Sequence, residues 1–268
     1  MNVYWLEQIE ADLPEVDNWL SPDEKARLAA MRFPRRRADW RLGRWTAKQT
    51  LAICLNRPDD PESLASIEIR SASSGAPQAF VDAEPSGMAI SLSHRAGVAL
   101  CAIASWDARL GCDLETIEPR SDAFLTDYFT DEEQALVRAT RAADRPRALT
   151  LLWSAKESAL KALQAGLRLD TRSITVSLEG DAFRADDWSP LRARYSDDQV
   201  FYGWWRSDKN LVRTMVCNTP APKLVRLSVP AHSGNGGFRS QGDEPGLAVT
   251  WTSAGHHGRR VGSRLCCR

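Results

Sequence analysis

The sequence predicts an α+β protein made of two similar α/β half-domains related by a pseudo-twofold axis, and two repeated patterns predict it. Ser21-Pro22-Asp23-Glu24 is a helix start, with a serine cap, proline at the first helical position and glutamate three residues after the cap. Thr130-Asp131-Glu132-Glu133 repeats that logic. Twenty-four residues after Ser21 comes Trp45-Thr46-Ala47-Lys48-Gln49, and twenty-three after Thr130 comes Trp153-Ser154-Ala155-Lys156-Glu157. A capped helix, a basic linker and a Trp-Ser/Thr-Ala-Lys-Gln/Glu helix thus occur twice in the same order, the second helices 108 residues apart. Repetition in that order marks an internal duplication.

Strands fill the intervals. Ala89-Ile90-Ser91-Leu92 and residues 97–104 are rich in apolar residues, and 110–115 follow a short Trp106-Asp107-Ala108 turn. Residues 173–178 alternate polar and apolar, as a half-buried strand does. Residues 202–205 and 211–217 read as a further hairpin. The half-domains are accordingly assigned to 1–108 and 109–220. From 221 to 268 a disordered tail is expected, because residues 231–268 hold half of the sixteen glycines and no apolar period.

Composition narrows the class. The 268 residues carry 35 basic and 35 acidic side chains, so no global charge points to nucleic acid or to an anionic membrane. No run of about 18 apolar residues occurs, and Met1-Asn2-Val3-Tyr4-Trp5 does not open like a signal peptide. A monomeric cytoplasmic protein is expected. The six cysteines form no C-x-x-C pair and read as reduced thiols.

Gly111-Cys112-Asp113-Leu114-Glu115 is the most informative pentapeptide. On a strand Asp113 and Glu115 face the same way, and like charges there are unfavourable unless solvated or neutralised. A hard divalent cation would neutralise them; an exposed strand edge would solvate them. Farther on, Trp153, Glu157 and Lys161 fall four apart on one helical face. Glu157 and Lys161 make an ordinary surface pair in isolation, but Trp153 on the same stripe argues for cover.

Together these pieces resemble the Sfp-type 4′-phosphopantetheinyl transferases. The strand Gly-x-Asp-x-Glu is followed about forty residues later by Trp153-Ser154-x-Lys156-Glu157-x-x-x-Lys161. Ser91-Leu92-Ser93-His94-Arg95, Phe129-Thr130-x-x-Glu133 and Arg41-Leu42-Gly43-Arg44 stand in the family's order. The likeness runs from about residue 20 to residue 178 and includes the duplicated architecture. It implies a transferase that moves 4′-phosphopantetheine from coenzyme A to a serine of an apo acyl- or peptidyl-carrier protein, releasing 3′,5′-ADP. It also implies that Asp113, Glu115 and Glu157 hold Mg²⁺ (or Mn²⁺), with Glu157 as the base and Lys161 steadying the phosphates. Ser93 and His94 would meet the adenosine 3′-phosphate, and Arg44 would contribute to the same nucleotide site.

Two features sharpen the reading. Arg37, Arg41, Arg44 and Lys48 recur on one helical face, where a phosphate-bearing ligand is expected. The family often carries a Gly-Lys/Arg-Pro triplet, but this chain reads Gly75-Ala76-Pro77, so Arg70 or an arginine of the cluster would have to supply that cation. Two alternatives stay open on these residues: a coenzyme A- or carrier-binding module with weak catalysis, and a Mg²⁺-dependent phosphohydrolase using the same acids. The carrier and pathway, whether fatty-acid or secondary-metabolite synthesis, are also open.

Overall fold

In the computed structural model, which describes residues 1–179, 187–196, 199–208 and 210–229, both capped starts form helices. The first elements are β1 (Asn2–Ile9), α1 (Pro22–Ala29), α2 (Pro34–Cys54), α3 (Pro61–Ala65), β2 (Ile67–Ser71), β3 (Pro77–Val81), β4 (Glu84–Pro85), β5 (Met88–Arg95) and β6 (Val98–Ser105). Then follow β7 (Leu110–Thr116), α4 (Asp122–Tyr128), α5 (Asp131–Ala139), α6 (Arg145–Ala162), β8 (Thr175–Leu178), β9 (Ser189–Ser196), β10 (Gln199–Asp208), β11 (Leu211–Cys217) and β12 (Lys223–Arg226). They build one sheet ordered β12-β1-β6-β5, a second ordered β7-β11-β10-β9-β8, and a small β2-β3-β4 sheet.

The repeated helix starts explain why the two long helices lie where they do. In the first, the Ser21 side chain accepts from the Glu24 amide, and the Glu24 carboxylate accepts from the Ser21 and Ile69 amides. Lys48, on α2, brings its ammonium to 2.5 Å from that carboxylate and donates to the Trp19 and Leu64 carbonyls, both at 3.0 Å. The second copy matches group for group. Glu133 accepts from the Thr130 and Val176 amides, and Lys156 on α6 stands 2.7 Å from it. Lys156 also donates to the Thr171 and Ile174 carbonyls. Each lysine is fully buried with a ring beside it, Trp19 for Lys48 and Phe129 for Lys156. All three donors of each ammonium have an acceptor, which is the condition under which a lysine survives without water.

The two larger sheets meet along β5 and β7. β7 is an edge strand whose outward amides need partners, and serine hydroxyls of β5 supply them: Ser91 accepts from Cys112 at 2.9 Å and Ser93 from Leu114 at 3.2 Å. Behind this seam Val3, Trp5, Leu100 and Ala102 pack on Leu110, Cys112, Met215 and Cys217 in one apolar cluster. Arg213 on β11 ties the same seam by pairing with Glu7 of β1.

The tail expectation needs correction at its start. Residues 223–226 form β12, which runs parallel to β1 in the register Asn2 to Lys223 through Trp5 to Arg226. β1 has a free edge, and the returning chain covers it; no apolar period marks so short a strand in the sequence. The remainder of the expected tail, from 230, lies outside the described residues.

Two measurements check these contacts. Cutting the chain after Pro220 removes β12 and the Pro222 carbonyl that accepts from the Trp204 indole at 2.8 Å. It is expected to lower Tm by roughly 5–10 °C, at about 2–4 °C per kcal/mol for a chain of this length; an unchanged melt would show that β12 holds nothing. Lys156→Met strands the Glu133 charge and is expected to cost about 3–5 kcal/mol in urea unfolding, with part of the loss restored by adding Glu133→Gln.

Candidate active site

Asp113 sits at the centre of the site, and Gly111 puts it there. A Cβ at Gly111 would stand 1.8 Å from the Ser158 carbonyl oxygen, so only glycine lets β7 approach α6 this closely. Asp113, two residues on, shares that face and is buried against the helix. Its Oδ2 accepts from the Ser154 hydroxyl at 2.9 Å. Its Oδ1 accepts from Ser93 at 2.9 Å and from the Lys161 ammonium at 2.7 Å. Lys161 donates in addition to the Cys112 carbonyl at 2.9 Å. Burial works against the charge on Lys161, but the Asp113 carboxylate outweighs it and holds the ammonium above the ordinary lysine range. Ser154 is fixed in turn: Thr214 on β11 donates to its carbonyl, and the Thr214, Ser154 and Ser158 hydroxyls form a buried chain.

Glu115 and Glu157 flank this pair. Both carboxyls are pushed above the usual carboxylate range, in each case first by burial and then by the charge on Asp113. Glu157 feels Glu115 as well. Arg95 and Arg120 stand 3.6 and 3.8 Å from Glu115 Oε2, too far for hydrogen bonds, and that buried oxygen has no hydrogen-bond partner.

The three acids therefore share one field. Among the described residues, however, no three acid, histidine or cysteine side chains are already gathered at metal-ligand spacing. Lys161 occupies the inward oxygen of Asp113 instead. The donor set nonetheless fits a hard dication, because it offers oxygen ligands only, an orphaned Glu115 Oε2, and two carboxyls whose negative form is under-compensated. Asp113 Oδ2 accepts a single bond and retains a lone pair.

The residues expected to meet a nucleotide divide. The Ser93 hydroxyl is committed to Asp113 and to the Leu114 amide, so it positions the acid and joins the half-domains. His94, its neighbour, is exposed, with its ring close to Gly43 of α2. Desolvation of the ring on its α2 side lowers its pKa, opposed by Asp39 and helped by Lys161 and Arg44. Arg44 lies over the Trp40 ring, and burial pushes its pKa down to about 10 against the pull of Glu24. Its buried Nε has no hydrogen-bond partner.

The basic helical face is a correction to the sequence reading. Lys48 is wholly inside, and Arg41 bonds to Asp17 and the Pro14 carbonyl. This face anchors α2 to the segment before it, because the acids it needs come from residues 17 and 24, far from it in sequence. Arg70 is likewise engaged, with Glu68 and the Phe80 ring. Ser154, Thr214, Arg95 and Arg120 are site residues that the sequence reading did not single out. Only Ser154 and Arg95, inside the quoted motifs, carried a signal.

Beside Lys161 opens a cavity of about 550 Å³ that crosses β5 at residues 88–92 and reaches Ser74, Ala76 and Phe80. Lys161, hydrogen-bonded to Asp113, is where this ligand-sized space meets the acid cluster.

Two comparisons with known proteins point to one family. Residues 109–215 match the 4′-phosphopantetheinyl transferase superfamily, a span that contains Asp113, Glu115, Glu157 and Lys161. The chain is also 29% identical over 164 residues to the 4′-phosphopantetheinyl transferase HetI of Nostoc sp., covering 60% of this chain and 67% of that protein.

The raised carboxyls carry a pH signature. An acid whose folded pKa lies above its unfolded value stabilises the fold below the unfolded pKa, and that contribution is lost as pH rises through the folded one. In metal-free buffer, Glu115→Gln is therefore expected to raise Tm at pH 7–8, with the gain shrinking as pH falls through the raised pKa and gone by about pH 4, where the wild-type carboxyl is neutral in both states. A gain independent of pH would mean that charge is not the cause.

Proposed function

We propose that the chain, whose residues 109–215 match the 4′-phosphopantetheinyl transferase superfamily, moves phosphopantetheine from coenzyme A to a carrier-protein serine at the Asp113 cluster. The observation that carries this reading is the cluster itself: two under-compensated carboxyls and one lysine around a buried aspartate, with that lysine lining a ligand-sized cavity.

Glu157 takes the proton from the serine hydroxyl. A carboxyl raised by burial and by two acidic neighbours is a better base near neutral pH than a solvated one. The serine oxygen forms a bond to the pantetheine-side phosphorus, the bridging P–O bond breaks, and 3′,5′-ADP leaves with the electron pair. Lys161, already an ammonium, moves its hydrogen bonds from Asp113 and the Cys112 carbonyl toward the phosphate oxygens. Asp113, Glu115 and Glu157 would hold Mg²⁺ or Mn²⁺, which supplies neutralisation of the pyrophosphate charge. Ser93 and Ser154 keep Asp113 oriented, while His94 and Arg44 approach the nucleotide from the α2 side.

The partners proposed are coenzyme A and an apo carrier protein. The compartment proposed is the cytoplasm, since Cys54, Cys101, Cys112 and Cys217 are buried free thiols. Among the described residues no helix is long and apolar enough to cross a membrane.

Mass spectrometry of an apo carrier protein incubated with coenzyme A, Mg²⁺ and the chain tests the reaction: a serine-linked gain of phosphopantetheine is expected. Nucleotide cleaved without any carrier change would instead favour the phosphohydrolase. Glu157→Gln is expected to retain calorimetric coenzyme A binding while turnover falls roughly 10²–10⁴-fold, the usual worth of a lost proton transfer. Lys161→Ala should weaken both, because phosphate meets it in ground and transition states alike. Joint loss of binding and turnover in Glu157→Gln would make that residue chiefly a metal ligand.

A further inference from the structure

The hydroxyls buried behind Asp113 point in a direction that the duplicated helix does not share. By the 108-residue repeat, Ser154 and Ser158 of α6 stand where α2 has Thr46 and Thr50. In the first copy each hydroxyl turns back on its own helix, Thr46 to the Leu42 carbonyl at 2.9 Å and Thr50 to the Thr46 carbonyl at 2.5 Å. Such back-bonding is the usual resource of a threonine inside a helix. In the second copy the hydroxyls reach off the helix. Ser154 meets Asp113 Oδ2 and the Thr214 hydroxyl, each at 2.9 Å, and Ser158 meets the Thr214 hydroxyl at 2.7 Å. Thr214 stands on β11 in register with Asp113 on β7. Ser154, Ser158 and Thr214 are all completely buried, so their protons must find protein acceptors.

Counting protons sets the direction. Each hydroxyl has one to give. A serine oxygen 2.9 Å from a carboxylate oxygen must place its proton between them, because facing lone pairs at that distance repel. Ser154 is thereby committed to Asp113. Its 2.9 Å contact with Thr214 is then bridged by the threonine's proton, shared with the Ser154 carbonyl at the same distance. The contact between Thr214 and Ser158 is bridged in turn by the serine's, with the Thr214 carbonyl a longer second acceptor at 3.3 Å. Donation runs one way, from Ser158 to Thr214 to Ser154 to Asp113, and each donor polarises the next.

We propose that Thr214 is a positioning residue for the metal site: through Ser154 it commits one lone pair of Asp113 Oδ2 and leaves the other for a dication. With Ser93 and Lys161 on Oδ1, both oxygens are tethered and the plane of the carboxylate is fixed. Thr214 lies 60 residues beyond Ser154 and outside the motifs that mark the site. The inference rests on the reading of the three acids as a dication site.

The test uses Mn²⁺ as the probe, read by loss of its free-ion EPR signal on the full-length chain without coenzyme A, beside Tm. Thr214→Val keeps the shape and removes the hydroxyl. It is expected to weaken Mn²⁺ about fivefold, the order of one hydrogen bond, and Thr214→Ser to restore most of that loss. In a Ser154→Ala background Thr214→Val should add nothing, since its route to Asp113 is already cut. Unchanged Mn²⁺ affinity in Thr214→Val, whatever its Tm, would overturn the assignment and leave the threonine a packing residue. Full additivity with Ser154→Ala would overturn it as well. Should Thr214→Val not fold, Ser158→Ala decides instead: losing the first donor is expected to weaken Mn²⁺ about twofold, and no change would overturn the relay. Wild type that takes up no Mn²⁺ would overturn the dication reading itself, whereas wild type and Thr214→Val binding it equally would sink this inference alone.

Discussion

The arrangement depends on a lysine that has no water. Lys48 and Lys156 each carry a full charge into the interior, and each is acceptable only because one glutamate caps a helix, receives a strand amide and meets the ammonium at once. One carboxylate thereby fixes three elements: a short helix, a long helix and the edge of a sheet. Desolvating such a pair is expensive, and its value lies in geometry rather than net stability. Shifting any partner by an ångström leaves a charge unpaired, so the register of α6 against β8 is held tightly. Glu157 and Lys161 inherit that precision, being one and five residues beyond Lys156.

Duplication gives two such frames but, among the described residues, one acid cluster. At the position of Glu157 the first copy has Gln49, whose amide donates to Asp59. The acid strand also has one copy: β7 lies at the edge of its sheet, where β5 closes it by hydroxyls rather than by a ladder. A side-chain seam leaves space that a continuous backbone ladder would fill, and the cavity occupies that space. Ser91 and Ser93 therefore belong to the architecture as much as to the chemistry.

Local order was readable in the residues. The Ser21 and Thr130 boxes, the Trp45 and Trp153 helices and the pairing of Asp113 with Glu115 on one face all follow from short-range rules, and the structure has them. What escaped was direction over distance. Arg37 through Lys48 have the spacing of a charged surface, yet Asp17 and Glu24 turn part of that face inward. Ser93 reads as a ligand contact until Asp113, twenty residues later, claims its hydroxyl. Thr214 and β12 lie so far along the chain that nothing near them in sequence announces their partners. Spacing reveals faces; only the fold says what each face meets.

β12 has a consequence for how the protein is made. β1 leaves the ribosome before its antiparallel neighbour β6, which follows within about a hundred residues. Its parallel neighbour is encoded at 223–226, behind the whole second half. Throughout synthesis of that half, the backbone of Asn2–Trp5 waits without its final partner, exposing an edge that another nascent chain could template. Closure of the first sheet is thus a late event, timed by translation of the second half. The emergence of residues 109–222 sets how long that edge stays open before β12 docks.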